Sequence, residues 1–215
     1  MQLIHTRTLQ IGSLSALSVL SATFLAIRFG ITHGGWYVMI NWNLFLAWMP
    51  LFLSLWFERI TLNEPGSKLK LASVGILWLL FFPNAPYVIT DFIHIQHSSG
   101  IPAWHDALMI FSYAMTSLIC GLLSFHWMRQ NLMRIIPKWS EYVMLAVLPL
   151  SGFGIYLGRV KRLNSWHPFT KPGLLIQQIL ESLVNKQAIL MTLEFSVMIG
   201  ISYLVLLSLM QKESV

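Results

Sequence analysis

Long apolar runs, separated by short polar breaks, set the pattern of this chain, and most of them approach the 20 or so residues that a helix needs to cross about 30 Å of hydrocarbon. The first runs from Gln10 to Phe29, after Arg7. It has the outline of a secretory signal, but no small-x-small cleavage site follows and Ala22 to Ile31 continues with bulky residues, which predicts a retained helix. The second runs from Asn41 to Phe57 and closes on Glu58 and Arg59. The third starts near Leu69, stays apolar through Phe82, and then meets Pro83-Asn84-Ala85-Pro86. The fourth covers Asp106 to Trp127, the fifth Tyr142 to Leu157, and the sixth Ala188 to Met210. Between the fifth and sixth, Leu174 to Val184 sets apolar residues at helical spacing around Gln177, Gln178 and Glu181, which predicts a short amphipathic helix lying at the interface. The pattern therefore predicts an all-α, polytopic transmembrane bundle of about six spans. Its third helix is broken at Pro83–Pro86, and one interfacial helix precedes the last span. No internal repeat or low-complexity tract divides the chain, so residues 1–215 read as a single domain.

Composition agrees with that pattern. The chain is 56% hydrophobic and only 10% charged, against roughly 25% charged in a soluble globule. Too little polar surface exists for a water-facing shell, so the expected partner of the outer face is the lipid bilayer. The net charge of +6 does not point to nucleic acid, because the basic residues stand at the ends of apolar segments, where membrane proteins keep them. The single Cys120 cannot form an internal disulfide. With the N-terminus in the cytoplasm, eight basic residues (Arg7, Arg59, Lys68, Lys70, Arg129, Arg134, Lys138 and Lys212) fall inside and six (Arg28, Arg159, Lys161, Arg162, Lys171 and Lys186) outside. That margin is narrow for the positive-inside rule. Either the basic group around Arg159 is an anion site rather than a topology signal, or the third segment turns back as a hairpin. Six full spans are the expectation.

Several residues do not belong in hydrocarbon. Along Phe82 to His94, Pro83 and Pro86 each remove a backbone donor, and the carbonyls they free must be satisfied by other groups. Asn84, Tyr87, Asp91 and His94 follow at steps of 3, 4 and 3 and so form one helical stripe. A charge near the bilayer core costs at least a few kcal/mol, so the stripe must face other helices or a watery cavity. It reads either as the inward polar face of a kinked helix or as a site in which Asp91 and His94 act as acid, base or metal ligands. Trp104-His105-Asp106 opens the fourth span. Asp106 there fits capping and the helix dipole, and also fits a place assisting Asp91 and His94. With Tyr113 and Ser117 it would form a polar seam. His97 and His105 add further possible metal ligands, but their spacing matches no standard site and leaves metal and cofactor unassigned. Finally, Gly158 to Pro168 holds Arg159 and Arg162 one turn apart. They read as a headgroup-anchored loop with Trp166 at the interface, or as a clamp for a phosphate or carboxylate. In the second case Asn84, Tyr87, Asn164 and His167 would complete a binding site. Glu194, about two turns into the last span, is expected to pair with a basic group such as Arg159 or to handle protons. Six spans put the connectors 1–2, 3–4 and 5–6 on one membrane face, and with them Asn41 and Asn43, the Asp91, His94 and Asp106 group, and the Arg159 to His167 loop.

At these residues the chain resembles a family of bacterial membrane proteins catalogued as domain of unknown function 1361. The likeness rests on Trp42-Asn43-Leu44-Phe45-Leu46-Ala47-Trp48 with Pro50, on Pro83-Asn84-Ala85-Pro86-Tyr87 through Asp91 and His94, and on Gly158-Arg159 through Asn164-Ser165-Trp166. It covers most of the chain from about Asn41. Where the family tends to read Trp-Tyr-Asp this chain has Trp104-His105-Asp106, and His167 stands where an acid is usual. The resemblance implies a multi-pass protein of the bacterial inner membrane and carries no activity with it.

Three functions remain open on these residues. One is a binding or accessory protein whose polar stripe is structural. Another is a membrane-embedded enzyme for an anionic or lipid-linked small molecule, with Arg159 and Arg162 holding the anion and Asp91, His94 and Asp106 doing the chemistry. The third is a small proton-coupled carrier using Asp91 and Glu194. Nothing in the chain sets the oligomeric state.

Overall fold

The computed structural model describes residues 2–33, 35–64, 66–97, 100–163 and 165–211, and among these it contains helices and connectors but no strand. The elements are α1 (Gln2–Thr32), a single 3-10 turn (Gly35–Tyr37), α2 (Met39–Asn63), α3 (Lys68–Phe81), α4 (Asn84–Tyr87), a longer 3-10 stretch (Val88–His97), α5 (Ala103–Ile135), α6 (Ser140–Arg159), α7 (His167–Thr170), α8 (Pro172–Ser182) and α9 (Lys186–Gln211). Six stretches are long and apolar enough to cross a membrane, the third of them running from Lys68 to Ile95 through α3, α4 and most of the 3-10 stretch. The six expected spans and the amphipathic helix before the last one are all present. The helices overrun the expected limits, because their polar ends continue beyond the hydrocarbon and are tied to one another. Glu58 of α2 takes Arg7 of α1 and, at 3.6 Å, Arg134 of α5. Arg129 of α5 pairs with Glu141 of α6 at 2.5 Å.

The break in the third span follows from its two prolines. Without an N–H on Pro86, the Phe82 carbonyl takes its bond from the Ala85 N–H at 3.2 Å. That diverts the Ala85 donor from Phe81, whose carbonyl accepts the Asn84 side-chain amide at 2.8 Å instead. One side chain thus repairs a backbone defect that lipid would not tolerate. Phe82, Pro83 and Val88 keep right-handed helical dihedrals, so the chain tightens into a 3-10 stretch without turning back as a hairpin.

α5 is the central helix. One face of it holds Phe125 and Met128 against Trp78, Phe82 and Tyr203, and another holds Met109, Ile110 and Tyr113 against Leu25, Ile40 and Val88. The Trp78 indole donates to Ser124 Oγ at 2.7 Å inside the first group. Hydrocarbon does not drive helices together as water does, so close packing carries the association. Small residues stand where helices approach most closely. A Cβ on Gly121 would lie 2.7 Å from Ala85 Cβ, one on Gly154 would lie 2.8 Å from Pro83, and one on Gly152 would lie 2.5 Å from the Thr192 carbonyl oxygen. The first two contacts press the broken segment between α5 and α6. The third seats α9 on α6. Beside them α8 is tied to the end of α6 by Lys161 and Glu181 at 3.3 Å. Hydrogen bonds from Gln177 and Lys161 hold the exposed Glu181 carboxyl below the usual carboxylate range, so that tie is intact at neutral pH.

Candidate functional site

The proline break sets the geometry of the polar stripe. An α-helical period leaves Asp91 and His94 offset by part of a turn, whereas the 3-10 winding of Val88–His97 eclipses residues three apart. Asp91 and His94 therefore stack on one side, and Asn84 and Tyr87 of α4 point into the same cavity. This cavity has a volume of about 960 Å³ and draws lining residues from the connector after α1, from the stripe, and from the loop after α6.

Arg159, the last residue of α6, organises the polar end. Its Nη1 donates to Asp91 Oδ1 at 3.1 Å and to the Tyr87 hydroxyl at 3.3 Å. Its Nη2 donates to the Thr90 carbonyl at 2.8 Å and lies 3.2 Å from His94 Nε2, which accepts the bond when Nδ1 carries the proton. The guanidinium also stands over the Tyr87 ring, 5.6 Å from its centre. Asn43 of α2 donates to the other Asp91 oxygen at 2.8 Å, and the Tyr37 hydroxyl donates to the His94 carbonyl at 2.6 Å. The Asp91 and Arg159 side chains are only 6% and 17% exposed. A pair this enclosed is tolerated when further hydrogen bonds support it, as those with Tyr87, Thr90, His94 and Asn43 do here. Gly158 makes room for the arrangement, since a Cβ there would come within 3.3 Å of the Tyr87 ring. Asn84 donates to Ser165 Oγ at 3.0 Å and closes the cavity against the loop after α6. From this polar end the walls turn apolar along Leu46, Leu79, Leu80 and Leu150, with Leu175 and Ile179 of α8 as a further side.

Five of the residues expected from sequence, Asn84, Tyr87, Asp91, His94 and Arg159, are thus brought together. Asp106 is held elsewhere. It sits four residues past the Pro102 cap of α5 and binds the Arg28 guanidinium of α1 through two hydrogen bonds, at 2.7 and 3.4 Å. Both side chains of that pair are buried, at 0% and 4% exposure, and Arg28 stacks over the Tyr37 ring at 4.1 Å. Arg162 is exposed, has a positive φ of 56°, and lies outside the cavity lining, so it does not join Arg159 in a clamp. The His167 ring lies edge-on to Trp166 at 6.4 Å, and its neighbours Trp166 and Pro168, rather than His167, line the cavity. Asn164 falls outside the described residues, as does the side chain of His97. His105 is buried against Phe24 and Trp104. Among the described residues no group of three or more His, Cys, Asp or Glu side chains is placed to hold a metal ion. Glu194 is exposed on α9 and does not meet Arg159, which is turned into the cavity towards Asp91. Asn43, expected on the same membrane face, joins the cluster through Asp91, whereas Tyr37 and Ser165 are residues of the candidate site that sequence reasoning missed. Their signal is a polar side chain beside a tryptophan or tyrosine at a helix end.

A bundle of six membrane-crossing helices, with a polar-ended cavity where three connectors meet, defines the class of this protein. The chain belongs to the family described as Protein of unknown function (DUF1361), which it matches over residues 42–202. No curated protein and no solved structure matches it. The family match begins after α1, so the Arg28–Asp106 tie joins a segment outside the match to one inside it.

That tie yields a direct test. Asp106→Ala leaves a buried guanidinium without its counter-ion, and the expected loss is about 3–5 kcal/mol. Unfolding titrations in mixed detergent should place Asp106→Ala well below Arg28→Met/Asp106→Leu, in which neither charge remains. Equal losses would show that an unpaired guanidinium at this place carries no penalty, against the burial of the pair.

Proposed function

We propose that this chain is a multi-pass protein of the bacterial inner membrane that binds an amphipathic molecule. The polar head of the ligand meets the Asp91–Arg159 cluster and its apolar part lies along Leu46, Leu79, Leu80 and Leu150. The observation that supports this most is the single cavity joining both kinds of wall. Leu150 stands nine residues before Arg159 on α6, about 13 Å along a helix that rises 1.5 Å per residue. That depth is close to half the hydrocarbon thickness of about 30 Å. The cavity thus runs from headgroup level towards the bilayer midplane, as a lipid or a lipid-linked molecule does.

The chemistry of the head follows from what the cluster already holds. Arg159 makes four hydrogen bonds within the protein and its charge is matched by Asp91. A bare anion would have to displace Asp91. A head carrying hydroxyl or amide groups instead finds Asn43, Asn84, Tyr87 and Ser165 around a neutralised pair. A carrier that uses Glu194 as its proton site draws less support, since that carboxyl lies away from the lining. An enzyme is the second reading, favoured by the placement of a carboxylate and an imidazole on the same guanidinium.

The basic residues support an orientation. Ion pairs engage them on both faces, Arg7, Arg129 and Arg134 as well as Arg28 and Arg159, so the count stays at eight inner against six outer. By the positive-inside rule the N-terminus is cytoplasmic and the cavity mouth periplasmic. Reporter fusions after Gln96 and after Lys171 should then both read periplasmic. Opposite readings would separate the connectors that form the site.

Binding is tested on protein purified in mild detergent, by native mass spectrometry and extraction of whatever amphiphile accompanies it. The wild type should retain such a molecule, and Leu150→Trp, which fills the apolar end, should lose about 1–2 kcal/mol of binding, roughly tenfold in occupancy below saturation. Asp91→Asn and His94→Ala separate the two readings. Lower occupancy supports recognition, whereas retained occupancy with an accumulated substrate supports turnover. A wild type free of amphiphile, or full occupancy in Leu150→Trp, would contradict both.

A further inference from the structure

α9 uses one face to pack on the bundle, with Ile199 and Tyr203 buried in the core, and leaves the other uncovered. The uncovered face carries Leu190, Glu194, Val197, Ile201, Leu204 and Ser208, all exposed. Their steps of 4, 3, 4, 3 and 4 are the heptad spacing with which two helices pack seam to seam. Glu194 lies within that seam. It stands eight residues after Lys186, the first residue of α9, about 12 Å along the helix. With about 30 Å of hydrocarbon to cross, this depth is well inside the apolar layer. Two methylenes cannot carry the carboxyl back over two turns to the headgroups. A carboxyl facing lipid costs a few kcal/mol unless another polar group meets it.

We infer that this face binds a second copy of the chain, α9 against α9, with the two Glu194 carboxyls hydrogen-bonded to each other. A two-fold axis along the membrane normal places the same residue of both copies at the same depth. The O–H of one carboxyl then donates to an oxygen of the other. A head-to-tail contact would meet the carboxyl with hydroxyls such as those of Ser15, Thr23 or Ser73, which already donate to carbonyls of their own helices. Among the described residues the exposed lysines and arginines, Arg59, Lys68, Lys70, Arg134, Lys138, Arg162, Lys171 and Lys186, lie near helix ends or in connectors. The arrangement leaves the cavity untouched, since no α9 residue lines it.

The test is oxidative cross-linking in native membranes, in a Cys120→Ser background. Val197→Cys and Ile201→Cys should form a species of twice the chain mass, while Ile76→Cys, equally exposed to lipid on α3, should not. Adding Glu194→Leu to Val197→Cys should lower self-association about three- to thirtyfold, the range of an interhelical polar contact in lipid. Glu194→Gln, whose amide both donates and accepts, should keep it. The amount of chain in the membrane is followed in each variant. A chain that stays monomeric, an adduct with a protein of another mass, equal cross-linking at position 76, or no effect of Glu194→Leu would each overturn the inference.

Discussion

A guanidinium at the edge of hydrocarbon must be surrounded by acceptors, and the architecture around Arg159 is built on that demand. The idealised desolvation of such an ion amounts to many kcal/mol, and only a complete set of partners offsets it. Here the set comes from one short stretch, residues 87–94, which supplies a hydroxyl, a carbonyl, a carboxylate and an imidazole nitrogen. The stretch can do this because Pro83 and Pro86 break the regular helix before it. A 3-10 winding exposes the Thr90 carbonyl to the arginine and eclipses Asp91 with His94. Asn84 then repairs the backbone at the break and also reaches Ser165. The polar cluster and the helix defect are one feature.

A second arginine shows the same demand met differently. Arg28 and Asp106 bind each other inside the bundle, outside the lining of the polar-ended cavity, and fasten α1 to α5. The two ion pairs therefore divide their work. One is enclosed and holds the bundle together. The other lies on a cavity wall, where a ligand can reach its neighbours. That contrast, rather than the charge of either pair, singles out Asp91 and Arg159 as the candidate site.

The bundle was legible in the sequence because hydrocarbon imposes a length and an apolarity that show directly in the residues, and because prolines announce their own defect. The stripe Asn84–Tyr87–Asp91–His94 was legible for the same reason. Its winding was not, since the 3-10 form depends on a rerouted hydrogen bond that no residue spacing displays. Ion-pair partners were also hidden. Arg28 and Asp106 are 78 positions apart, and a charged residue at a helix start satisfies the capping pattern equally well. Glu194 was expected to seek Arg159, but a cation already matched by Asp91 has no reason to reach for it. Arg162, one turn from Arg159 along the chain, lies past the end of α6, where the helical spacing that would have aligned the two no longer holds.

The central claim is that Asp91 and Arg159 depend on each other. A double-mutant cycle with Asp91→Ala, Arg159→Ala and the double variant, read by unfolding in lipid bicelles, measures that dependence directly. The account predicts single losses of several kcal/mol and a coupling of about 2 kcal/mol or more, so that the double variant is far less damaged than the two losses added together. Additive losses, with coupling of about zero, would mean that the two groups do not share an enclosed site.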